Sequence, residues 1–512
     1  MSRRRKILIV VGAALAAVLI PVIHHYQLRA ATEAYIAELK AKGEPMELAQ
    51  VLPPPVPPEQ NRAAVFLKAA SLLHTNWNVL DSNTPAAMRM VAPSKAMVGL
   101  TQLEIRDGNA TNSWEDIKSA LAKENEALDL LCQITNGSTL DFGLTYSNGV
   151  DKIQFSHLAP LKRAAQALSA AAISDLHRGD TASAAKNVST MLALVNGASH
   201  DRVVISELVR IAIAQIAVPV AWEILQSTNV TDEQLAELQH NWMNLEFIRG
   251  DENALAMERL ISEITLTKWR NSNSELQNYF DLIEHFTDQN QKDSVFDKFK
   301  IKIKVFMWRH WWSYPDELRL LKGEQALLET ARSIGTNCSF STARLQQEDK
   351  LQKLLITTNE ETVWFSNPKG MDMHLMLSAS LRGLSAVFNK VMRVETAKQM
   401  AITVIALKRY QLKYGKYPAD LNSLVPEFVS TVPLDPVDGK PLRYRPNADG
   451  TFLLYSVGEN GEDDGGDPSL EKGIQSSSFY WQNTHALDWV WPQPATPEEI
   501  QKYYDEQARK SE

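Results

Sequence analysis

Cysteine is nearly absent: the 512-residue chain has two, Cys132 and Cys338. Neither belongs to a CxxC or a Cys/His cluster, which excludes zinc fingers and ribbons. Two sulfurs also cannot supply the disulfide framework of a small secreted scaffold. They could pair in an oxidising compartment or stay apart as buried thiols, and spacing alone leaves both open. HExxH, GxSxG, the Walker A loop and GxGxxG are missing as well, so no zincin, α/β-hydrolase, P-loop or Rossmann chemistry is legible. Positive charge is not in excess: 53 Lys and Arg stand against 61 Asp and Glu, a formal −8. That balance removes a whole-chain footprint for nucleic acid. With 22% charged and 44% hydrophobic residues, the composition is that of a globular chain. Collagen-like, disordered and polytopic membrane classes fall away.

Long apolar runs are reduced to one. Ile7–Ile23 carries no charged residue and follows Arg3, Arg4, Arg5 and Lys6. Seventeen residues at helical rise reach roughly 26 Å, enough for a thin bilayer core. The cations before the run keep the N-terminus cytoplasmic and send the remainder across. A signal peptide shares this layout, but cuts near Ala30 or Ala31 would place Leu28 or Arg29 at the −3 position, which favours an uncleaved single-pass anchor. With residues 3–6 set aside, 49 cations face 61 anions, so the exported body is distinctly acidic.

The expected plan is a cytoplasmic tip (1–6), a transmembrane anchor (7–23), a juxtamembrane helix with a Pro-rich spacer (24–60), an α-helical domain (61–390) and a small α+β domain (391–512). The fold class is mainly α. Gln27–Lys42 reads as helix, stopped by Gly43 and Pro45, and the five prolines of Leu52–Gln60 read as a stiff, extended spacer. Helices are expected at Ala63–Leu73 and, unbroken, at Trp114–Ile134. Leu158–Leu176 and Ala182–Val195 form an αα-hairpin, with Gly179 as stop and Asp180 or Thr181 as the next N-cap. The Arg-Gly-Asp triplet at 178–180 is explained by that turn and needs no adhesive role. Val203–Leu225 is apolar on two faces, as a helix buried between neighbours is. Thr231–Trp242 opens on a capping-box signal. No second copy of the hairpin recurs at a fixed period, so the array is irregular. In Asp297–Pro315, lysines alternate with apolar residues like a strand and then run into Trp308, Trp311 and Trp312. Packing on the helical core and contact with a membrane surface both suit that composition.

From Val394 the texture changes. The helix ETAKQMAITVIALKRYQLKYG is followed by KYP, a short helix at Leu421–Val429, and turn pairs Asp438-Gly439 and Asp449-Gly450 beside Leu442–Arg445 and Phe452–Val457. This predicts a long helix on a small antiparallel sheet. Asp435 and Asp438 read as turn formers rather than an acid/base pair.

YGKYP, LVPEF, VPLDPVDGKPLRYR and LLYSVGENGEDDGG in this order resemble the periplasmic part of type II secretion major pseudopilins, over about Lys398–Asp467. The resemblance implies protein contacts in the envelope, with secretion-system components among the partners. It also implies Ca²⁺ on the loop after the last long strand, here Ser456–Asp467. The donors would be Asp463, Asp464, Asp467, Asn460 and the Val457 carbonyl. An EF-hand is rejected: Asn460 stands where its first Asp belongs, and a strand enters the loop. Pseudopilins carry the module directly behind their membrane helix, whereas about 370 residues intervene here, so a pilus subunit is not expected. More broadly, the GEPMELAQVLPPPVPPEQNRA stretch, the helical middle and the closing DWVWP resemble uncharacterised membrane-anchored proteins of planctomycete and verrucomicrobial bacteria. The expected function is a non-catalytic envelope scaffold of the inner membrane, with most of its mass periplasmic. The competing reading is an enzyme, such as a metal-assisted hydrolase, with its site in the helical domain.

Overall fold

The computed structural model describes residues 23–74, 77, 87–107, 110–149, 152–287, 295–337, 339–362, 375–472 and 481–511. Apart from Ile23, the expected anchor lies outside them, as does Cys338. The chain is mainly helical, with three small sheets among the described residues. Helix α1 (23–41) ends at Gly43, whose φ of +81° suits a residue without Cβ. Its Thr32 hydroxyl donates to the Tyr314 carbonyl at 3.3 Å. The Pro-rich stretch is extended but held close to the body, because Arg202 Nη1 donates to the Val51 carbonyl at 2.9 Å and Thr139 N–H to the Gln60 carbonyl at 3.0 Å.

Helix α2 (Ala63–Leu72) leads to the hairpin β1 (Arg89–Ala92) and β2 (Lys95–Met97), then the short pair β3 (Ile105–Asp107) and β4 (Ala110–Asn112). These strands interrupt a region the sequence reads as helical almost throughout. The helix expected over Trp114–Ile134 is two, α3 (Trp114–Ala122) and α4 (Asn125–Leu131). The break falls at Glu124, whose buried carboxylate accepts the His74 N–H at 3.2 Å.

Next come α5 (Leu158–His177) and α6 (Thr181–Gly197), joined by Gly179 at φ +81° and capped by Asp180, whose side chain accepts the Ser183 N–H at 3.0 Å. Both helices bury rows of alanine, which lets their backbones approach closely. Helix α7 (Val204–Gln226) is the one described helix long and apolar enough to cross a membrane. Its surroundings account for that composition: it packs against α5, α6, α9 and α14, so most of its side chains are buried, although Ile205 near its start is exposed. Helix α8 (Asp232–Met243) has the expected capping box, with Gln234 N–H donating to the Thr231 hydroxyl at 3.3 Å.

Helices α9 (Phe247–Asn271) and α10 (Asn273–Thr287) follow, then α11 (Val295–Met307) and α12 (Ser313–Asn337), with one π-helical turn at Trp308–Trp312 between the last two. The lysine alternation is therefore helical. Ile301, Val305 and Trp308 recur at i, i+4 and i+7 on the buried side, and Trp308 Nε1 donates to Asp316 at 2.8 Å. Helix α13 (Phe340–Thr362) precedes α14 (Leu375–Tyr414), whose 40 residues make a rod about 60 Å long. The rod is continuous through residue 390 and packs on α7, α8, α9 and α12 before reaching the terminal sheet.

The terminal head has only a 3₁₀ turn at Leu421–Leu424 where a longer helix was expected. Strands β5 (Arg443–Pro446), β6 (Phe452–Ser456) and β7 (Trp489–Val490) form an antiparallel sheet in which Arg443 stands opposite Tyr455. The chain then leaves that sheet, and β8 (Gln493–Pro494) adds in parallel to β2. Between the two sheets, Trp489 and Trp491 are buried and the Pro492 carbonyl accepts Trp222 Nε1 of α7 at 2.8 Å. The DWVWP stretch is thus the bolt between head and body. Helix α15 (Pro497–Ser511) closes the chain.

Candidate functional site

Three carboxylates of the head converge on one cation of the same chain. Asp435 is fully buried; its oxygens accept the Val437 and Val457 N–H groups at 3.0 Å each and the Ser456 hydroxyl at 2.9 Å. Arg443 Nη1 adds a fourth bond at 3.1 Å. Asp438 accepts Nη1 at 3.1 Å and Nη2 at 2.6 Å, a two-pronged pairing. Asp463 accepts Nε at 3.3 Å, the Tyr455 hydroxyl at 2.9 Å and the Gly465 N–H at 3.1 Å. Burial raises the Asp435 carboxyl above its ordinary range. Burial also works against Asp438, but there the Arg443 hydrogen bonds and charge prevail and hold it low. Asp463 is likewise held low, its slight burial outweighed by Tyr455, Gly465 and Arg443. The turn reading of Asp435 and Asp438 is correct as far as it goes. It missed Arg443, whose signal was a cation at the mouth of a strand five residues after a DG turn.

The five residues proposed for Ca²⁺ lie together on one loop, and the structure shows what their groups do. Asp464 accepts from Asn460 Nδ2 at 3.0 Å, and Asn460 Oδ1 accepts the Glu462 N–H at 3.0 Å. Asp467 accepts the Ser469 N–H at 2.9 Å, and the Val457 N–H is bonded to Asp435. Calcium needs six to eight oxygens about one point. Among the described residues, no three His, Cys, Asp or Glu side chains are grouped to hold a metal ion. In this arrangement Asp463 is the loop residue that faces the Arg443 guanidinium, at 3.3 Å.

The loop is tied to two helices. Glu459 pairs with Arg393 of α14 at 2.8 Å, and Arg344 Nη1 of α13 donates to the Glu459 carbonyl at 3.4 Å. The Asp435–Gly439 turn is held too, since the Phe340 and Ser341 N–H groups of α13 donate to the Pro436 and Val437 carbonyls at 3.0 and 2.9 Å. Asp488 accepts the Gly466 N–H at 2.7 Å, and burial pushes its carboxyl up to about 6. Gly466 has φ +84°, and a Cβ there would lie 2.8 Å from Leu453 Cδ2, so this close approach requires glycine.

The body holds a second polar constellation. His157 Nε2 and the Ser206 hydroxyl both bond Asp201 Oδ2 at 2.7 Å, and all three are buried. A nucleophilic triad needs the imidazole between hydroxyl and carboxylate. Here the carboxylate stands in the middle, so the set is structural. Nearby, Arg210 Nη1 bonds both oxygens of Glu207 at 2.5 and 2.6 Å, and Nε donates to the Val195 carbonyl at 2.7 Å. Above this buried pair opens a polar cleft of about 330 Å³, lined by His200, Arg202, Arg249, Glu246 and Asn253 among others. Asp251 is buried beside it with one oxygen unpartnered, and burial followed by the neighbouring Glu207 pushes it up to about 7.

Gly250 closes over the ion pair: a Cβ there would stand 2.5 Å from Arg210 Nη1 and 2.6 Å from Glu207 Oε2. Alanine ordinarily stabilises a helix interior relative to glycine by about 1 kcal/mol. At this position Gly250→Ala is expected to reverse the sign and cost about 1–3 kcal/mol through overpacking, read as a lowered urea midpoint.

Cys132 is a free, half-buried thiol whose sulfur lies 3.9 Å from the Thr190 hydroxyl, and burial raises its pKa. No family model, curated protein or solved structure matches the chain.

Proposed function

We propose that the chain is a non-catalytic, membrane-anchored protein of the bacterial cell envelope. In this reading 7–23 span the inner membrane with the N-terminus cytoplasmic. The helical body stands in the periplasm as a scaffold and presents a pseudopilin-like head to protein partners, secretion-system or other envelope components among them, and not to nucleic acid. The observation that carries the reading is the construction of the head. Three of its carboxylates share its own Arg443, its loop is clamped to α13 and α14, and its last strands are bolted to α7 through Trp222. Such a unit holds one surface in one place, which suits recognition more than turnover. The antiparallel sheet, the long helix beside it and the acidic loop after β6 support the pseudopilin-like description.

Two measurements in cells of the source type test it together. The chain is expected to stay with membranes through alkaline extraction and to become protease-sensitive when spheroplasts replace intact cells. A photo-crosslinker at Leu434, exposed on the head, is expected to trap envelope proteins in discrete bands. A chain that washes off the membrane overturns the anchor, and a head that crosslinks only to water-soluble cytosolic proteins overturns the placement. The enzyme reading has one observation in its favour, the unpartnered Asp251 oxygen beside a polar cleft. Hydrolysis of an ester, phosphate or peptide substrate that is lost in Asp251→Asn would move the conclusion there.

A further inference from the structure

Helix α11 buries one side and leaves the other apolar side bare. Phe299, Ile303 and Phe306 are 58%, 36% and 55% exposed, at the i, i+4, i+7 spacing of a single face. The π-helical turn that follows inserts an extra residue per turn and brings Trp311, 37% exposed, beside Phe306 with ring centroids 5.7 Å apart. The face continues onto α1. The Phe306 ring lies 4.5 Å from His310, and His25 hydrogen-bonds the His310 backbone. His25 also packs edge-on against Tyr314 at 5.1 Å, and its neighbours Ile23 and Tyr26 are 53% and 62% exposed. Four large apolar side chains of α11 and the π-helical turn are thus uncovered, and α1, which adjoins them through His25, exposes Ile23 and Tyr26 as well.

We infer that this surface lies on the lipid bilayer, with α11 parallel to the membrane plane. Its position argues for that occupant over a protein. Helix α1, which adjoins the patch through His25, starts at Ile23, the last residue of the apolar run 7–23, so a chain entering a membrane through that run would emerge near it. Its composition argues the same way. Lys298, Lys300, Lys302 and Lys304 against a single Asp297 make the segment cationic overall, the sign that anionic headgroups attract. Trp, Tyr and Phe with short apolar stretches are the side chains that settle at the headgroup boundary. With both the span and α11 engaged, the body would be fixed in orientation and not merely tethered.

The inference rests on the anchored reading, and the test separates the two. The full chain, with Cys132 and Cys338 replaced by serine, is reconstituted in vesicles of phosphatidylethanolamine and phosphatidylglycerol. Nitroxide labels are placed singly through Ile303→Cys, Phe306→Cys, Leu19→Cys and Leu345→Cys. Leu345 is a 66% exposed control whose neighbour Arg344 bonds the head loop. Labels at 303 and 306 are expected to collide with oxygen more than with a water-soluble nickel chelate, the nickel collision falling several-fold below that at 345. Full nickel access at 303 and 306 overturns the inference, and so does shielding from both reagents, which would mean a protein covers the face. The label at 19 reports on the span alone: lipid exposure there with aqueous labels at 303 and 306 would sink the inference and spare the anchor.

Discussion

Arg443→Met is expected to destabilise the head by about 3–5 kcal/mol, the usual cost of removing one member of a buried charged set. The loss is large because three carboxylates share the guanidinium, and one of them, Asp435, has no exposure to water. Arg443→Lys should recover only part of it, since an ammonium keeps the charge but cannot bridge Asp438 by two prongs and Asp463 from the far side at once. Arg443→Met with Asp438→Asn should recover more than Arg443→Met alone. The pH dependence follows from the directions. In the wild type Asp438 and Asp463 are held below their ordinary range, so their contribution is present above that range and fades as pH falls through their folded values. In the variant the uncompensated carboxyls repel and titrate higher, so its stability falls as pH rises. The gap between the two proteins should therefore narrow on acidification. Thermal melts at pH 5 and pH 7.5, followed through the buried tryptophans of the head, check this. Millimolar calcium against a chelator tests the loop in the same melts, an unchanged midpoint counting against a bound ion. A calcium-induced rise would show that Asp463 can leave Arg443 and the loop re-form around the ion.

Glu223→Ala is expected to cost about as much, by a different route. Glu223 lies fully buried on α7 and accepts the N–H groups of Met88, Gly99 and Leu100 at 2.9, 2.8 and 3.2 Å. Alanine leaves three backbone donors without a partner and a void where the carboxylate was, a loss of at least about 3 kcal/mol at about 1–3 per orphaned group. Glutamine retains one acceptor oxygen. Placed at the Oε1 position it keeps the Met88 and Gly99 bonds but turns its own N–H₂ toward Leu100, so the cost should be near 1 kcal/mol. Burial, opposed by those three N–H groups, pushes the Glu223 carboxyl up from its ordinary 4.5 to about 7. A raised folded value means the native state holds a proton the unfolded chain has released. That contribution is complete below about 4.5 and lost as pH rises through about 7. Urea midpoints from pH 4.5 to 8 should fall more steeply for the wild type than for Glu223→Gln. Parallel curves would sink the assignment.

What the residues reveal unaided is local. The Thr231 capping box, the Gly179 stop with its Asp180 cap, and the Asp449-Gly450 turn between β5 and β6 each depend on neighbours within a few positions, and each stands where expected. The misses depend on distance. Nothing near Glu124 shows that it will turn inward to serve His74, 50 positions away, and break a helix. Nothing near Glu223 shows that it organises a hairpin 124 to 135 positions earlier. Alternating lysines obey the strand pattern and the helical one equally well until Trp308 finds Asp316. In the head, the loop's acidity was legible but its counter-ion was not. The cation that Asp435, Asp438 and Asp463 share sits on a strand residue whose side is set by the pairing of Arg443 with Tyr455.

The parallel pairing of β8 with β2 also governs the order in which the molecule can assemble. Gln493 and Ala495 donate to the Ser94 and Ala96 carbonyls at 2.9 and 2.8 Å, and the Tyr504 hydroxyl touches the Met97 sulfur across 407 positions. A chain made from the N-terminus exposes the β2 edge long before its partner exists. Closing so long a loop adds little to the equilibrium cost, since that cost grows only with the logarithm of length, but it slows the search. The rate-limiting event of folding should then be the docking of the last strands. Until it happens, an unpaired strand edge is on offer to any passing chain, which makes this seam the place where a holding chaperone is most needed.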